Sequence, residues 1–143
     1  MTPSILECFY RVSIKALITD AEWRFLLCKE DNGMRELPGW WLDFGENPYD
    51  CLTREIREEL WLSILSVADQ PLYFYPFVNL NRVYYHKDFY AINIVYPVTV
   101  QDIKFNPSEE CREIKFFTAE EALWIDNTYI NVKEFAKLYS HKI

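Results

Sequence analysis

The chain has 143 residues, of which 50% are hydrophobic and 17% aromatic, and it carries a formal net charge of −7. This composition excludes a disordered chain and predicts one domain with a substantial core, residues 1–143. The negative charge argues against nonspecific nucleic-acid binding, which needs a basic surface, and no run approaches the ~18 apolar residues of a membrane span.

The four cysteines are widely spaced and form no C-x-x-C pair. This spacing predicts reduced thiols in a cytoplasmic protein rather than a zinc site or a disulfide framework. The first eleven residues include Glu7 and lack the basic start and apolar centre of a signal peptide. The aromatic content is compatible with a homodimer.

The elements in the first third of the chain follow from alternation and turn signals. Residues 8–19 alternate partly and predict a strand, and residues 23–28 predict a second one after the turn at 20–22. A turn is expected at residues 31–33, and Leu37-Pro38-Gly39 predicts an extended segment that ends in a turn. A helix should begin at Asn47 or Pro48, because Asn is a good N-cap and Pro suits the first helical position.

The remaining elements are predicted after this helix. Strands are expected at residues 64–67, 71–78, 83–100 and 114–117, with the second and third paired as a hairpin across residues 79–82. A short helix is predicted at residues 119–123, and a longer amphipathic one at residues 128–139. Mixed strands with two long helices predict an α/β/α sandwich built on a mixed β-sheet.

Three glutamates lie close together on the first predicted helix. Residues 54–59 read R-E-I-R-E-E, and Glu55, Glu58 and Glu59 fall within an arc of roughly 100°. Like charges at this spacing repel each other, and a divalent cation such as Mg2+, which prefers oxygen ligands, would remove that repulsion. Charge runs on helices are usually solvated surface, so the hexapeptide alone leaves a metal site and a plain acidic face open.

The surrounding segment resembles the Nudix box, whose pattern is G-x5-E-x7-R-E-U-x-E-E-x-G-U, where U is aliphatic. With Glu46 as the isolated glutamate, seven residues lead to Arg54, and Leu62 takes the last aliphatic position. The box then covers residues 40–62. The resemblance to Nudix hydrolases implies an α/β/α sandwich and Mg2+- or Mn2+-dependent cleavage of a diphosphate linkage in a small nucleotide.

The resemblance also implies roles for individual residues. Carried over by position, the metal ligands would be the three helical glutamates and a backbone carbonyl, namely Glu55, Glu58, Glu59 and Gly39. Glu46 would lie near the metal, and Arg54 would brace the carboxylates. Glu58 and Glu59 are candidates for the catalytic base. A third acidic group is expected from the loop before residues 114–117, where Glu110 is preferred to Glu109 and Glu113.

Two glycines of the family pattern are tryptophans here, Trp40 and Trp61. A bulky residue with positive φ costs about 1–2 kcal/mol, so we expect a changed helix exit at Trp61 and a reshaped pocket at Trp40. Trp40 and Trp41 adjoin the metal loop and are the candidate substrate-binding aromatics. The substitutions leave a second function open, a catalytically weak Nudix-fold module that binds a nucleotide as a sensor.

Overall fold

The computed structural model describes residues 9–79 and 89–140. Within these ranges the chain forms eight strands and three helices. The strands are β1 (Tyr10–Leu17), β2 (Phe25–Lys29), β3 (Arg35–Glu36), β4 (Gly39–Trp41), β5 (Ile64–Val67), β6 (Tyr73–Asn79), β7 (Phe89–Val100) and β8 (Glu113–Phe117). The helices are α1 (Pro48–Leu60), α2 (Ala119–Trp124) and α3 (Ile130–Ser140).

The strands form two sheets. The first has the order β4-β1-β7-β5, with β6 also paired to β7. Strands β1 and β7 run parallel, whereas β4, β5 and β6 are antiparallel to their neighbours, so this sheet is mixed. The second sheet has the order β3-β2-β8 and is antiparallel.

Helices cover the strands on two sides, because β1 and β2 place apolar side chains on both faces. One core cluster joins Ile56 and Leu60 of α1 to Ile14 of β1. The other joins α3 to the opposite face, where the Phe135 ring lies 5.0 Å from Phe25 in an edge-to-face contact. The predicted α/β/α sandwich with a mixed sheet is confirmed. None of the described helices combines the length and apolar character needed to cross a membrane.

Most of the predicted elements are found, with shifted ends. Helix α1 begins as expected, since the Asn47 side chain accepts a hydrogen bond from the Asp50 N–H at 2.9 Å and Pro48 is the first helical residue. Strands β6 and β7 pair antiparallel, as the hairpin prediction requires. Residue 8, the predicted turn around residues 80–82 and the strand predicted over residues 83–88 lie outside the described residues. Cys28, Cys51 and Cys111 are buried and unpaired, and Cys8 lies outside the described part.

The turn predicted at Gly39 is wrong, because this residue begins strand β4. Gly39 pairs with Lys15 of β1 and has a φ of +134°. A Cβ atom there would lie 2.1 Å from the Ile14 carbonyl oxygen, so the two strands approach too closely for any side chain. Strand β3, which the sequence did not predict, directly precedes this segment.

The two tryptophans at family glycine positions differ in their backbone. Trp61 has a φ of 58° and its N–H donates to the Arg57 carbonyl at 3.1 Å, so α1 ends in the left-handed conformation that glycine would adopt. The expected change of the helix exit is therefore wrong. Trp40 lies within β4. Among the described residues, Trp23 and Trp61 are the only non-glycine residues with positive φ. The backbone strain expected at Trp40 is absent.

Replacing Trp61 by glycine should stabilise the protein by about 1 kcal/mol, because the left-handed backbone then carries no Cβ penalty. Little packing would be lost, since the Trp61 side chain is 62% exposed. Chemical denaturation of Trp61→Gly measures the change. Trp61→Ala is the matched control, which removes the indole but keeps the Cβ atom. Equal stability of the two variants would contradict the strain assigned to Trp61.

Candidate metal centre and cavity

Three carboxylates from two separate segments meet beside α1. Glu55 and Glu59 lie one turn apart on the helix, and Glu110 comes from the loop before β8. One oxygen from each lies within 4.8 Å of the others. The two helical glutamates are only 4% and 6% exposed, whereas Glu110 is open to solvent. The group has the oxygen donors and spacing of a site for a hard divalent cation.

The loop that carries Glu110 is attached directly to α1. The Ser108 hydroxyl donates to the Glu59 carbonyl oxygen at 2.9 Å and accepts from the Cys111 N–H at 3.1 Å. Next to this turn, the Arg112 N–H donates to the Lys29 carbonyl at 2.7 Å, which begins the pairing of the loop with β2. These bonds hold Glu110 next to the helical carboxylates.

Arg54 links the box glutamate to the cluster. Its Nε and Nη2 atoms donate to the two Glu46 oxygens at 3.1 and 3.0 Å, and Nη1 donates to Glu55. This guanidinium lowers the pKa of the Glu46 carboxyl, which therefore remains ionised. Arg54 thus fixes the side chain of Glu55 from the solvent side of the helix.

Glu58 is not brought into the carboxylate cluster. Its side chain is 59% exposed, and the nearer oxygen lies 3.8 Å from Arg54 Nη1. Of the four carboxylates predicted as ligands, the structure gathers Glu55, Glu59 and Glu110 and leaves Glu58 beside them. Of the alternatives in the loop, Glu113 instead forms an ion pair with Arg35 at 2.7 Å.

Sequence reasoning missed a buried cation beside Gly39. The Lys15 Nζ atom donates to the Gly39 carbonyl at 3.5 Å and lies 3.8 Å from a Glu36 oxygen. Lys15 is only 5% exposed and stands between Ile14 and Ala16, which are fully buried. No clear signal was present in the sequence, because Lys15 falls on the face of β1 that also carries Arg11 and Ser13 and resembles an exposed lysine of an alternating strand.

The cluster is short of positive charge. Burial raises the pKa of Glu59 to about 9, the neighbouring charges of Glu55 and Glu110 act in the same direction, and Lys15 opposes them. The pKa of Glu55 is also raised, again first by burial. A buried carboxylate group that retains protons at neutral pH would ionise fully only with an added cation. The residues present therefore fit a bound divalent metal.

A cavity of about 780 Å³ opens next to the cluster, a volume that suits a nucleotide-sized ligand. Glu59 and Glu110 contribute to one part of its wall, and Tyr129 and Asn131 near the start of α3 to another. Lys15 is the only lysine or arginine among the described residues that line it. The cavity is thus predominantly acidic, apart from this one cation.

Trp40 and Trp41 both border the cavity but lie on opposite faces of β4. Trp41 pairs with Ser13, which also lines the cavity, and the Arg11 guanidinium lies 4.9 Å from the Trp41 ring centre. Trp40 pairs with Ile14, whose side chain belongs to the core under α1. Because directly paired residues share a face of the sheet, Trp41 is the better placed of the two to contact a ligand.

A family model supports the identity of this site. The model, described as the NUDIX domain, matches residues 9–139, which is nearly all of the chain. The chain belongs to the Nudix hydrolase family. The enzyme class predicted from the sequence, a hydrolase acting on diphosphate bonds, is confirmed at the level of the family. The Nudix box contributes Glu55, Glu59, Arg54 and Glu46 of the site, and Glu110 comes from outside it.

Solved structures share the Nudix fold of this chain. A MutT protein from Methanosarcina mazei Go1 is 21% identical with a TM-score of 0.69, covering 93% of this chain and 94% of its own. An ADP-ribose pyrophosphatase from Streptococcus suis is 20% identical with a TM-score of 0.61, covering 92% and 88%. An Ap4A hydrolase from C. elegans is 16% identical with a TM-score of 0.65, covering 93% and 96%. No curated protein sequence matches the chain.

Binding of Mg2+ should release protons and tighten as the pH rises from 7 towards 9, because Glu59 must lose a proton to bind a cation. Calorimetry in two buffers of different ionisation enthalpy would count the protons released.

In the metal-free protein, retention of this proton by Glu59 stabilises the folded state at low pH, so stability should decrease as the pH rises. The folded state retains it while the unfolded state, with the ordinary pKa of 4.5, has lost it, so the unfolding free energy should fall between pH 4.5 and 9.

A metal affinity that is constant from pH 7 to 9 would contradict the protonation assigned to Glu59. The variant Glu59→Gln should show a weaker pH dependence of its residual affinity, because only the raised pKa of Glu55 then remains.

Proposed function

We propose that this protein is a Mg2+- or Mn2+-dependent pyrophosphohydrolase that cleaves a diphosphate linkage in a nucleoside diphosphate derivative or a nucleoside triphosphate. The observation that carries the proposal is the group formed by Glu55, Glu59 and Glu110, of which Glu59 and Glu110 line a nucleotide-sized cavity. Family membership supports it, as does the fold shared with a named ADP-ribose pyrophosphatase and a named Ap4A hydrolase.

The metal would be held by Glu55, Glu59 and Glu110, with the Gly39 carbonyl as a further oxygen donor. A divalent cation bound there would supply positive charge for the diphosphate and make a bound water more acidic. The chain contributes the geometry. Arg54 keeps the Glu55 carboxylate in place, and Ser108 keeps the loop of Glu110 against α1. The close approach of β4 to β1 fixes the Gly39 carbonyl.

Glu58 is the candidate for the catalytic base. It stands next to the cluster on α1 but remains solvent-exposed and outside the group of converging oxygens. A carboxylate that is not engaged by metal can accept the proton of the attacking water. Trp41, with Trp40 beside it, would contact the substrate from β4.

The binding-module alternative rested on the two tryptophans at glycine positions. Trp40 adopts ordinary strand geometry without positive φ, and Trp61 points into solvent at the end of α1. Neither residue disturbs the oxygen cluster. A binding module would not need Glu46, Arg54 and the three box glutamates together, so their presence favours hydrolysis. We also propose that the chain acts as a single cytoplasmic domain, which suits its unpaired thiols. The homodimer remains a prediction.

Two glutamine variants should separate metal binding from proton transfer. Glu59→Gln should weaken Mn2+ binding and lose metal-dependent turnover, because it removes a ligand. Glu58→Gln should keep Mn2+ binding and lose about 10²- to 10⁴-fold in kcat, the range expected for a lost general base. Calorimetry with Mn2+ and phosphate or pyrophosphate release from nucleoside triphosphates and ADP-ribose provide the two readouts.

Glu120→Gln is the matched control, since Glu120 is exposed at the start of α2 and remote from the cluster in sequence. It should alter neither readout. Full turnover by Glu59→Gln would contradict the metal assignment, and full turnover by Glu58→Gln would remove Glu58 as the base.

A further inference from the structure

We propose that the protein forms a homodimer in which the outer sheet face of one copy packs against the same face of a second copy. The outer sheet face is the part of the first sheet, on its α1 side, that carries the exposed residues Tyr10, Trp40, Phe74, Pro76 and Tyr90. The other side of the same strands borders the cavity. Dimer formation is therefore a second property of this sheet, and it does not depend on nucleotide hydrolysis.

The strand register places apolar residues in consecutive rows across this face. In the first row, Ile14 of β1 pairs with Trp40 and with Ile94, and Ile94 pairs with Phe74. Ile14 belongs to the core under α1, which identifies the side of the sheet. Because directly paired residues share a face, all four side chains lie on the α1 side.

Two further rows extend the apolar surface to exposed residues. Val12 pairs with Ile92, which in turn pairs with the exposed Pro76. Tyr10 pairs with Tyr90, and their ring centres lie 5.6 Å apart. None of the residues in the three rows is charged. A sheet face that stays in water usually carries polar side chains, so this face has the composition of a buried surface.

The exposed aromatic area is large enough for a dimer. Tyr10, Trp40, Phe74 and Tyr90 are between 47% and 64% exposed. Because an aromatic side chain offers roughly 150–250 Å², about 400 Å² of these four side chains is open to solvent. Two copies would bury about 800 Å² through them, and the other apolar residues of the rows bring the total to the roughly 1,000 Å² that a specific interface needs.

A second copy of the chain is the partner that suits this surface. A sheet face is broad, whereas sites for small molecules are concave. In a twofold dimer the same surface meets itself, so like charges on it would face one another and repel. The chain has a net charge of −7, and the uncharged outer sheet face allows two copies to meet without placing acidic groups opposite each other.

Trp40 gains a role in this arrangement. It replaces a glycine of the family pattern, and about half of its surface is exposed on the α1 side of the sheet. A second copy would remove this indole from water. Trp40 also follows Gly39 directly, so the dimer interface and the candidate metal centre share strand β4.

The first test is the mass of the protein in solution. Sedimentation velocity over a range of concentrations should show a reversible dimer for the wild type. Phe74→Glu and Tyr90→Glu should each raise the dimer dissociation constant by at least about tenfold, because each would bury an unpaired charge. Trp124→Glu is the matched control and should keep the dimer, since Trp124 is an exposed aromatic residue at the end of α2, on the opposite layer.

Two results of this experiment would overturn the proposal. One is a wild type that stays monomeric at every concentration. The other is a dimer that persists unchanged in both Phe74→Glu and Tyr90→Glu, since another surface would then hold the copies together. Phe74 and Tyr90 are exposed, so both variants should fold, which circular dichroism checks.

Thiol labelling provides a measurement that leaves the four aromatic residues in place. Pro76→Cys should react with a maleimide more slowly at concentrations where the dimer forms than in dilute solution. Trp124→Cys is the control and should react at one rate throughout. Peptide mapping separates the introduced thiol from the native cysteines.

The labelling rates also distinguish other partners of this face. Slow labelling of Pro76→Cys at every concentration would mean that the chain itself covers the face, and this result would overturn the dimer. Fast labelling at every concentration would mean that the face stays in water, and it would overturn the dimer as well.

Discussion

The burial of like charges at one end of α1 is the constraint around which the site is built. Glu55 and Glu59 are removed from water next to Glu110, and ionised carboxylates in such a position repel one another and lose hydration. Arg54 compensates part of this charge from the outer side and Lys15 part from the cavity side. A divalent cation would neutralise the negative charge that remains. The arrangement therefore costs free energy without metal and favours metal binding.

Two contacts that involve the backbone set the position of site groups. The Gly39 carbonyl is placed by the close approach of β4 to β1, which only a glycine permits. Ser108 attaches the Glu110 loop to the backbone of α1 at Glu59. These two links join the strand edge, the helix and the loop, so the oxygen atoms converge although they come from distant parts of the chain. The cavity lies next to these groups, and Lys15 and Glu36 are part of its wall.

Local signals predicted the start of α1 and the acidic face well, because capping and helical periodicity act within a few residues. They could not show which glutamate on that face would be buried. Glu58 remains in solvent because the Glu110 loop docks beside Glu55 and Glu59, a contact about fifty residues away in sequence. The sequence wrongly predicts a turn at Gly39 for a similar reason. Its strand geometry depends on pairing with Lys15, which is distant in sequence. The role of Lys15 itself becomes visible only when β3 and β4 bring Glu36 and the cavity next to it.

The most direct test of this account is a crystal structure with Mn2+ and a non-hydrolysable nucleotide, with the metal located by anomalous scattering. The account predicts a manganese peak about 2.0–2.3 Å from oxygens of Glu55, Glu59 and Glu110, the range of oxygen ligands for such cations. A peak confined to other acidic residues, or none at saturating Mn2+, would contradict the assignment of this cluster as the metal centre.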